Sequence, residues 1–247
     1  MATSTRIEWT DITWNPVTGC TKISQGCKHC YAERMARRLQ AMGQSKYRRG
    51  FAVTLHPDAL DQPRQWSTPR LVFVNSMSDL FHERVPTEFI REVFGVMVAC
   101  PRHTFQVLTK RSSRARAVCR QLPWPKHIWM GVSVEDASAL HRVDDLRAIP
   151  AAVRFLSIEP LLGPLDGLSV EGIDWVIVGG ESGPGARPMR AEWVDSIYQS
   201  CVEAGVPFFF KQWGGVRKRQ KGRALRGRTF DEMPMPRSRW LALAKSA

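Results

Sequence analysis

Apolar residues along this chain fall into short runs separated by amphipathic stretches. Residues 71–75 (Leu-Val-Phe-Val-Asn) form a run suited to a strand buried on both faces. Similar runs recur at 104–109, 128–134, 153–158, 174–178 and 206–210, with a shorter one near 12–17. Helical spacing lies between most of them. Tyr31, Met35, Leu39 and Met42 share one face of a helix that Gly43 can end. Pro86 suits a first helical position, and Phe89, Ile90, Val93, Phe94 and Met97 follow on one stripe. Ser112 can cap a short helix through Leu122. Ala137, Leu140 and Leu146 mark another, with charges on its outer face. Trp193, Val194, Ile197, Tyr198 and Cys201 mark the last, closed by Gly205. Only 161–172, rich in Gly, Pro and Leu, lacks a helical pattern.

Alternating strands and helices imply a parallel sheet with right-handed crossovers. Six such strands and a short seventh predict an α/β protein built as a partial (β/α)6-type TIM barrel. A doubly wound open sheet is the alternative. No internal repeat or clear linker interrupts the pattern.

The chain has 247 residues, enough for one sizeable core or two small ones. Its 43% hydrophobic and 24% charged content argues against a disordered or fibrous chain. No apolar run approaches the roughly 18 residues of a spanning helix, and no signal peptide is evident at the N-terminus. Together these predict a cytoplasmic protein with no membrane partner. Charge changes the picture more. Thirty-six Lys+Arg against 23 Asp+Glu give +13, which favours a polyanionic partner. Ten basic residues between Lys211 and Arg239, against Asp231 and Glu232, contribute +8 of that excess. With its Gly and Pro, this segment reads as an extended or mobile flap, and residues 215–247 as a basic C-terminal extension.

In parallel β/α folds, ligands sit at the carboxyl ends of the strands. Every expected strand here ends in polar residues: Asn75, Ser76, Ser78 and Asp79; Thr109, Lys110 and Arg111; Ser133, Glu135 and Asp136; Ser157 and Glu159; Gly179, Gly180, Glu181 and Ser182; Lys211 and Gln212. One shared polar site accounts for all six. Of the six cysteines, Cys20, Cys27 and Cys30 lie together just before the first helix, spaced C-x6-C-x2-C. In a reducing compartment, such a trio reads as a metal or cluster site rather than disulfides. Three thiolates can bind three irons of a four-iron cluster and leave the fourth open, whereas electron carriers use four cysteines. Zinc is the competing reading. Cys27-x2-Cys30 is a common knuckle with Cys20 as third ligand, but a fourth ligand is not evident, and His29 is wedged between two others.

The stretch Ile7-Glu8-Trp9-Thr10-Asp11 through Trp14-Asn15-Pro16, Gly19-Cys20, Gly26-Cys27 and Cys30-Tyr31-Ala32 resembles a family of phage and bacterial three-cysteine proteins. So do Asn75 to Phe81, Leu108 to Arg111, Gly131 to Glu135, Ser157 to Pro160, Val178 to Gly183 and Lys211 to Gly214. That family in turn resembles radical S-adenosylmethionine (SAM) enzymes, most of all spore photoproduct lyase, which repairs a thymine dimer in DNA. The usual superfamily spacing is C-x3-C-x2-C, so the first gap is longer here.

The resemblance implies a radical SAM-like partial barrel over residues 1–214. Cys20, Cys27 and Cys30 would hold a [4Fe-4S] cluster, and SAM would chelate its open iron through amino and carboxylate groups. One electron, from a donor such as flavodoxin or ferredoxin, would cleave SAM to methionine and a hydrogen-abstracting 5′-deoxyadenosyl radical. His29 would lie against adenine. Ser76, Lys110 and Ser133 match lyase positions that contact SAM, and Ser78, Asp79 and Glu135 at the same strand ends complete the expected cofactor-binding set. Tyr31 matches a tyrosine of the lyase's hydrogen-return path. Asn75 replaces its hydrogen-donating cysteine, a departure from thymine-dimer lyases. The expected activity is hydrogen abstraction from DNA or RNA, as photoproduct-lyase-like repair or base modification. The alternatives are a zinc-stabilised, non-catalytic phage nucleic-acid binder, and a radical SAM enzyme acting on a protein or small molecule. Oligomeric state is left open by the sequence.

Overall fold

The structure is a computed structural model that describes residues 5, 7–217 and 222–234. Seven strands form one parallel sheet: β1 (Ile12–Trp14), β4 (Leu71–Val74), β5 (Thr104–Thr109), β6 (Ile128–Ser133), β7 (Arg154–Ile158), β8 (Trp175–Gly179) and β9 (Phe208–Gln212). Two short strands, β2 (Val17–Thr18) and β3 (Thr54–Leu55), pair antiparallel beside it. Neighbours in the sheet follow chain order with no reversal. A doubly wound sheet needs a reversal to place helices on both faces. Sequential order curls the sheet instead, so the fold is a partial TIM barrel.

Alternation along the strands explains the two cores. Val72, Val74, Phe105, Val107, Met130, Val132, Leu156, Ile158, Val176 and Val178 face outward, against α2 (Thr87–Val98), α3 (Ser112–Val118), α4 (His141–Arg147) and α5 (Ala191–Ala204). The intervening residues Leu71, Trp129, Phe155, Trp175, Ile177 and Phe209 form a second cluster with Trp9 on the other face. Trp175 meets Trp9, Trp129 and Phe209 edge-on at ring separations of 6.0–6.2 Å. Each such pair adds about 0.5–1.5 kcal/mol beyond area burial. Gly131 stands in register with Phe155, and a Cβ there would lie 2.4 Å from the ring. Glycine is what lets that ring cover the strand. The amino half of the concave face is thus apolar, and its carboxyl half carries Ser133, Ser157, Gly179 and Lys211.

Some local expectations shift. The stripe on α1 (Tyr31–Ala41) is not buried: Tyr31 and Met42 are 62% and 60% exposed, and Ala36 is the helix's one buried residue. Pro86 caps α2 from outside, and Ser112 begins α3 with its hydroxyl donating to Asp145 rather than capping. On α4, Arg142 and Asp145 are buried instead of facing outward. In the helix-free connection, Leu161, Leu165, Val170 and Ile173 bury themselves against the outer core and take the place of a helix.

The basic segment is not a free flap where it is described. Phe210 N donates to Phe230 O (2.9 Å), Phe208 N to the Glu232 carboxylate (2.9 Å), and Trp175 Nε1 to Glu232 O (2.8 Å). Phe230 is buried against Tyr198 and Phe208. This return covers the edge of β9, which would otherwise offer unpaired backbone. Lys218, Arg219, Lys221, Arg237 and Arg239 lie outside the described residues. Among the described residues, no helix is long and apolar enough to cross a membrane.

Candidate active site: a cysteine loop clamped over the strand ends

The loop between β2 and α1 carries Cys20, Cys27 and Cys30. Its entry needs Gly19, whose φ is +82° and whose Cβ would lie 2.2 Å from Ala52 O. All six cysteines are free thiols. Cys100, Cys119 and Cys201 are buried, while the loop's three are partly exposed. Burial pushes the Cys201 thiol up to about 12, as expected of an inert structural cysteine.

Three carboxylates, from the ends of β4, β6 and β8, hold the loop. Beyond β4, Asp79 accepts from Thr109 Oγ1 (2.7 Å), Lys110 N (3.0 Å) and Arg111 Nη1 (3.3 Å). Arg111, thus aimed, donates to Cys20 Sγ (3.3 Å), to Thr21 O (3.1 Å) and to Thr21 Oγ1 (3.0 Å). His82 Nε2 meets the same hydroxyl at 2.9 Å. Beyond β6, Glu135 is 1% exposed and accepts from Ser24 Oγ (2.7 Å), Lys110 Nζ (3.0 Å) and Arg142 Nη1 (2.8 Å). A Cβ on Gly26 would lie 2.4 Å from Glu135 Cγ, so glycine permits this approach. Beyond β8, Glu181 meets His29 Nδ1 at 3.1 Å and accepts from Arg187 Nη2 at 2.7 Å; Arg187 also donates to Gln25 O (2.9 Å). Arg34 of α1 donates to Ser182 O (2.8 Å).

The charges follow this wiring. Burial alone would push the Glu135 carboxyl up, but Lys110, Arg142 and Ser24 outweigh it and hold it low. Glu181 is likewise opposed by burial, and Arg187 and His29 bring it down to about 2. Burial and the Asp79 charge push Cys20 up to about 11 against the pull of Arg111. Cys27 is raised by burial and lowered more by hydrogen bonds from the Ile23 backbone, by the Lys110 charge and by the Ser24 hydroxyl.

The residues expected at the site are thus distributed as follows. Lys110, Asp79 and Glu135 meet in the loop's supporting network. His29 is fixed by Glu181. Ser76 Oγ donates to Asn15 Oδ1 (3.2 Å) and Ser78 Oγ to Val17 O (2.9 Å), both bracing the chain that leads into the loop. Ser133 is buried on the concave side of β6. Tyr31 is exposed at the first turn of α1. Sequence reasoning missed the roles of Ser24, Arg34, Arg111, Arg142, Glu181 and Arg187. Arg111 and Glu181 carried a signal as polar residues at strand ends; Arg142 carried none, because its helix pattern placed it outward.

Asn75 has φ +60° and is buried, its Oδ1 accepting from Val17 N (3.2 Å) and its Nδ2 without a protein partner. A buried donor left unpaired costs about 1–3 kcal/mol, which fits a place where a ligand's acceptor arrives. Lys211, released by a bulge between the pairs Val178↔Phe210 and Gly179↔Gln212, reaches across Gly179 to both oxygens of Glu159 (2.6 and 2.8 Å). Among the described residues, no three metal-ligating side chains are gathered closely enough to hold an ion by themselves. The donor chemistry of the loop, three free and partly exposed thiols, fits a thiophilic metal or an iron–sulfur cluster.

A parallel half-barrel with a polar site at its carboxyl ends, roofed by a three-thiol loop, is the class that fold and site define. Solved structures share the fold. Spore photoproduct lyase complexed with dinucleoside spore photoproduct aligns with a TM-score of 0.50 at 11% identity, over 81% of this chain and 63% of that one. A mutant of that lyase with the same dinucleoside gives the same values. The chain spans 63% of the length of each of these two lyase chains, less than two thirds. No curated protein matches the sequence. The chain belongs to the family described as Protein of unknown function (DUF5131), whose family model matches residues 4–234.

Proposed function

We propose that this protein is a radical SAM enzyme acting on nucleic acid. The observation that carries the reading is the loop: three free, partly exposed thiols on a segment tied to carboxylates at the ends of β4, β6 and β8. Cys20, Cys27 and Cys30 would hold a four-iron cluster that leaves one iron for SAM. Bound together, the cluster and SAM supply one-electron cleavage of SAM and a hydrogen-abstracting radical, the electron coming from a flavodoxin- or ferredoxin-type donor.

The chain's own residues do the positioning. Arg111 donates to Cys20 Sγ and offsets the charge of a ligating thiolate. Lys110, steadied by Glu135, keeps an ammonium near Cys27 that can meet a carboxylate as a point charge. Glu181 fixes the His29 ring, and Ser133 presents a hydroxyl from the concave face. The aromatic floor around Trp175 seals the barrel's other end from water. Asn75 holds no transferable hydrogen of the thiol kind, which favours base modification over thymine-dimer repair. Tyr31 is exposed, so a part in hydrogen return requires substrate to cover it. The charge of +13 and the dinucleoside bound by the lyase support a nucleic-acid substrate.

The test is reductive cleavage. Protein reconstituted with iron and sulfide, then reduced by dithionite, is expected to convert SAM to methionine and 5′-deoxyadenosine. Lys110→Met is expected to raise the SAM concentration needed by about 10- to 150-fold, the equivalent of the roughly 1.5–3 kcal/mol of a charged hydrogen bond. Reconstituted protein that holds its cluster and leaves SAM intact would refute the reading.

A further inference from the structure

Residues 28–50 contain seven basic side chains and one acid, Glu33. The structure sorts them. Arg34 is tied to Ser182 O, Arg37 and Lys22 share Glu33, and Lys46 Nζ is turned inward to Asn15 O (2.8 Å). Lys28, Arg38, Arg48 and Arg49 remain exposed, with no acidic partner among the described residues. Arg48 and Arg49 are held against α1, since Gln40 Nε2 donates to Arg48 O (3.1 Å) and Gln44 N to Leu39 O (3.0 Å). Two phenol rings lie in the same region. Tyr31 is 62% exposed, and Tyr47, partly exposed, is close enough to feel it: burial pushes the Tyr47 phenol up and Tyr31 adds to the shift.

Unpaired cations hold phosphates, and exposed rings beside them stack on bases; a duplex offers the phosphates but keeps its base faces hidden. We propose that the outer face of α1 and the 44–50 turn is a binding surface for single-stranded or locally unpaired nucleic acid. The strand's phosphates lie on Arg38, Arg48 and Arg49 and its bases on Tyr31 and Tyr47. This surface rests on the nucleic-acid reading above and deepens it. Because Tyr31 directly follows Cys30, a strand bound there passes the mouth of the candidate active site.

The test uses fluorescence anisotropy of a labelled 20-nucleotide single-stranded DNA and its duplex, with the full chain, over a salt series. R38E/R48E/R49E is compared with R102E/R120E/K126E, an equal charge reversal on exposed residues at the amino ends of β5 and β6. The expected result is single-strand affinity above duplex affinity, and a loss of tenfold or more in the first variant. Its salt slope should fall by about 2, at about 0.7 for each single-strand phosphate that an arginine no longer neutralises. The second variant should lose about threefold or less through long-range charge alone. Tyr47→Ala should weaken binding about fivefold or more at unchanged slope, as base stacking requires. Equal losses in both triple variants, or duplex binding as tight as single-strand binding, would overturn the surface and leave the nucleic-acid reading standing. Wild-type protein that binds neither DNA would overturn both. Circular dichroism melting of each variant shows that a loss is not unfolding.

Discussion

The three thiols are legible from spacing, but what holds them is not. Arg111 lies 91 residues from Cys20 in sequence, Glu135 lies 111 from Ser24, and Glu181 lies 152 from His29. No local pattern records such pairs; only the closing of the sheet brings them together. Glu135 is the most open to test, because it is buried and neutralises both Lys110 and Arg142. Glu135→Gln leaves two cations without their carboxylate and should cost about 3–5 kcal/mol, read as a fall in the urea midpoint. A loss below about 1 kcal/mol would show that the network is not what holds the loop. Glu181 adds a pH dependence. Its folded value is depressed to about 2, so its contribution is complete above the ordinary carboxylate range near 4.5 and is lost as pH falls toward 2. The urea midpoint should therefore drop more steeply between pH 4.5 and 2.5 in wild type than in Glu181→Gln. Parallel curves would contradict this role for Glu181.

Among the elements, the apolar runs named their strands well because buried parallel strands carry continuous apolar sequence. Runs at 104–109 and 174–178 correspond to β5 (Thr104–Thr109) and β8 (Trp175–Gly179) within a residue. Helix faces read less well. On α4, Arg142 looks like a solvated charge until Glu135 and Ser133 O, which it contacts at 2.8 Å each, are known. On α1, an apolar stripe that reads as core is only half buried in its middle, at Met35 and Leu39, and exposed at both ends, at Tyr31 and Met42. Gly131 shows how strand packing is decided by one missing side chain. Gly131→Ala should push a methyl into the Phe155 ring and cost about 1–3 kcal/mol by overpacking. That is roughly 2–10 °C in thermal midpoint for a chain of this size. The second change Phe155→Leu should recover part of the loss. An unchanged midpoint in Gly131→Ala would mean that the ring has room to move.

For the molecule as a whole, alternation of strand and helix chose a parallel α/β fold, and six runs with a short seventh favoured the partial barrel that the structure has over a doubly wound sheet. What settles that choice is strand order, which periodicity does not encode. The return of residues 222–234 along β9 was hidden for a related reason: basic composition dominates the segment, while only two apolar residues, Leu225 and Phe230, anchor it in the core. The same order that curls the sheet sets the ends of β4, β6 and β8 around one loop, and the proposed cluster site depends on that convergence. The decisive experiment is iron, sulfide and zinc content after anaerobic purification and reconstitution, with the electron paramagnetic resonance spectrum of the reduced protein recorded with and without SAM. About four irons per chain are expected, as a four-iron cluster requires. They should be lost in Cys27→Ala, and the spectrum should change when SAM is added. One zinc per chain, with no cluster that can be reconstituted, would contradict the radical SAM reading and leave a zinc-stabilised nucleic-acid binder in its place.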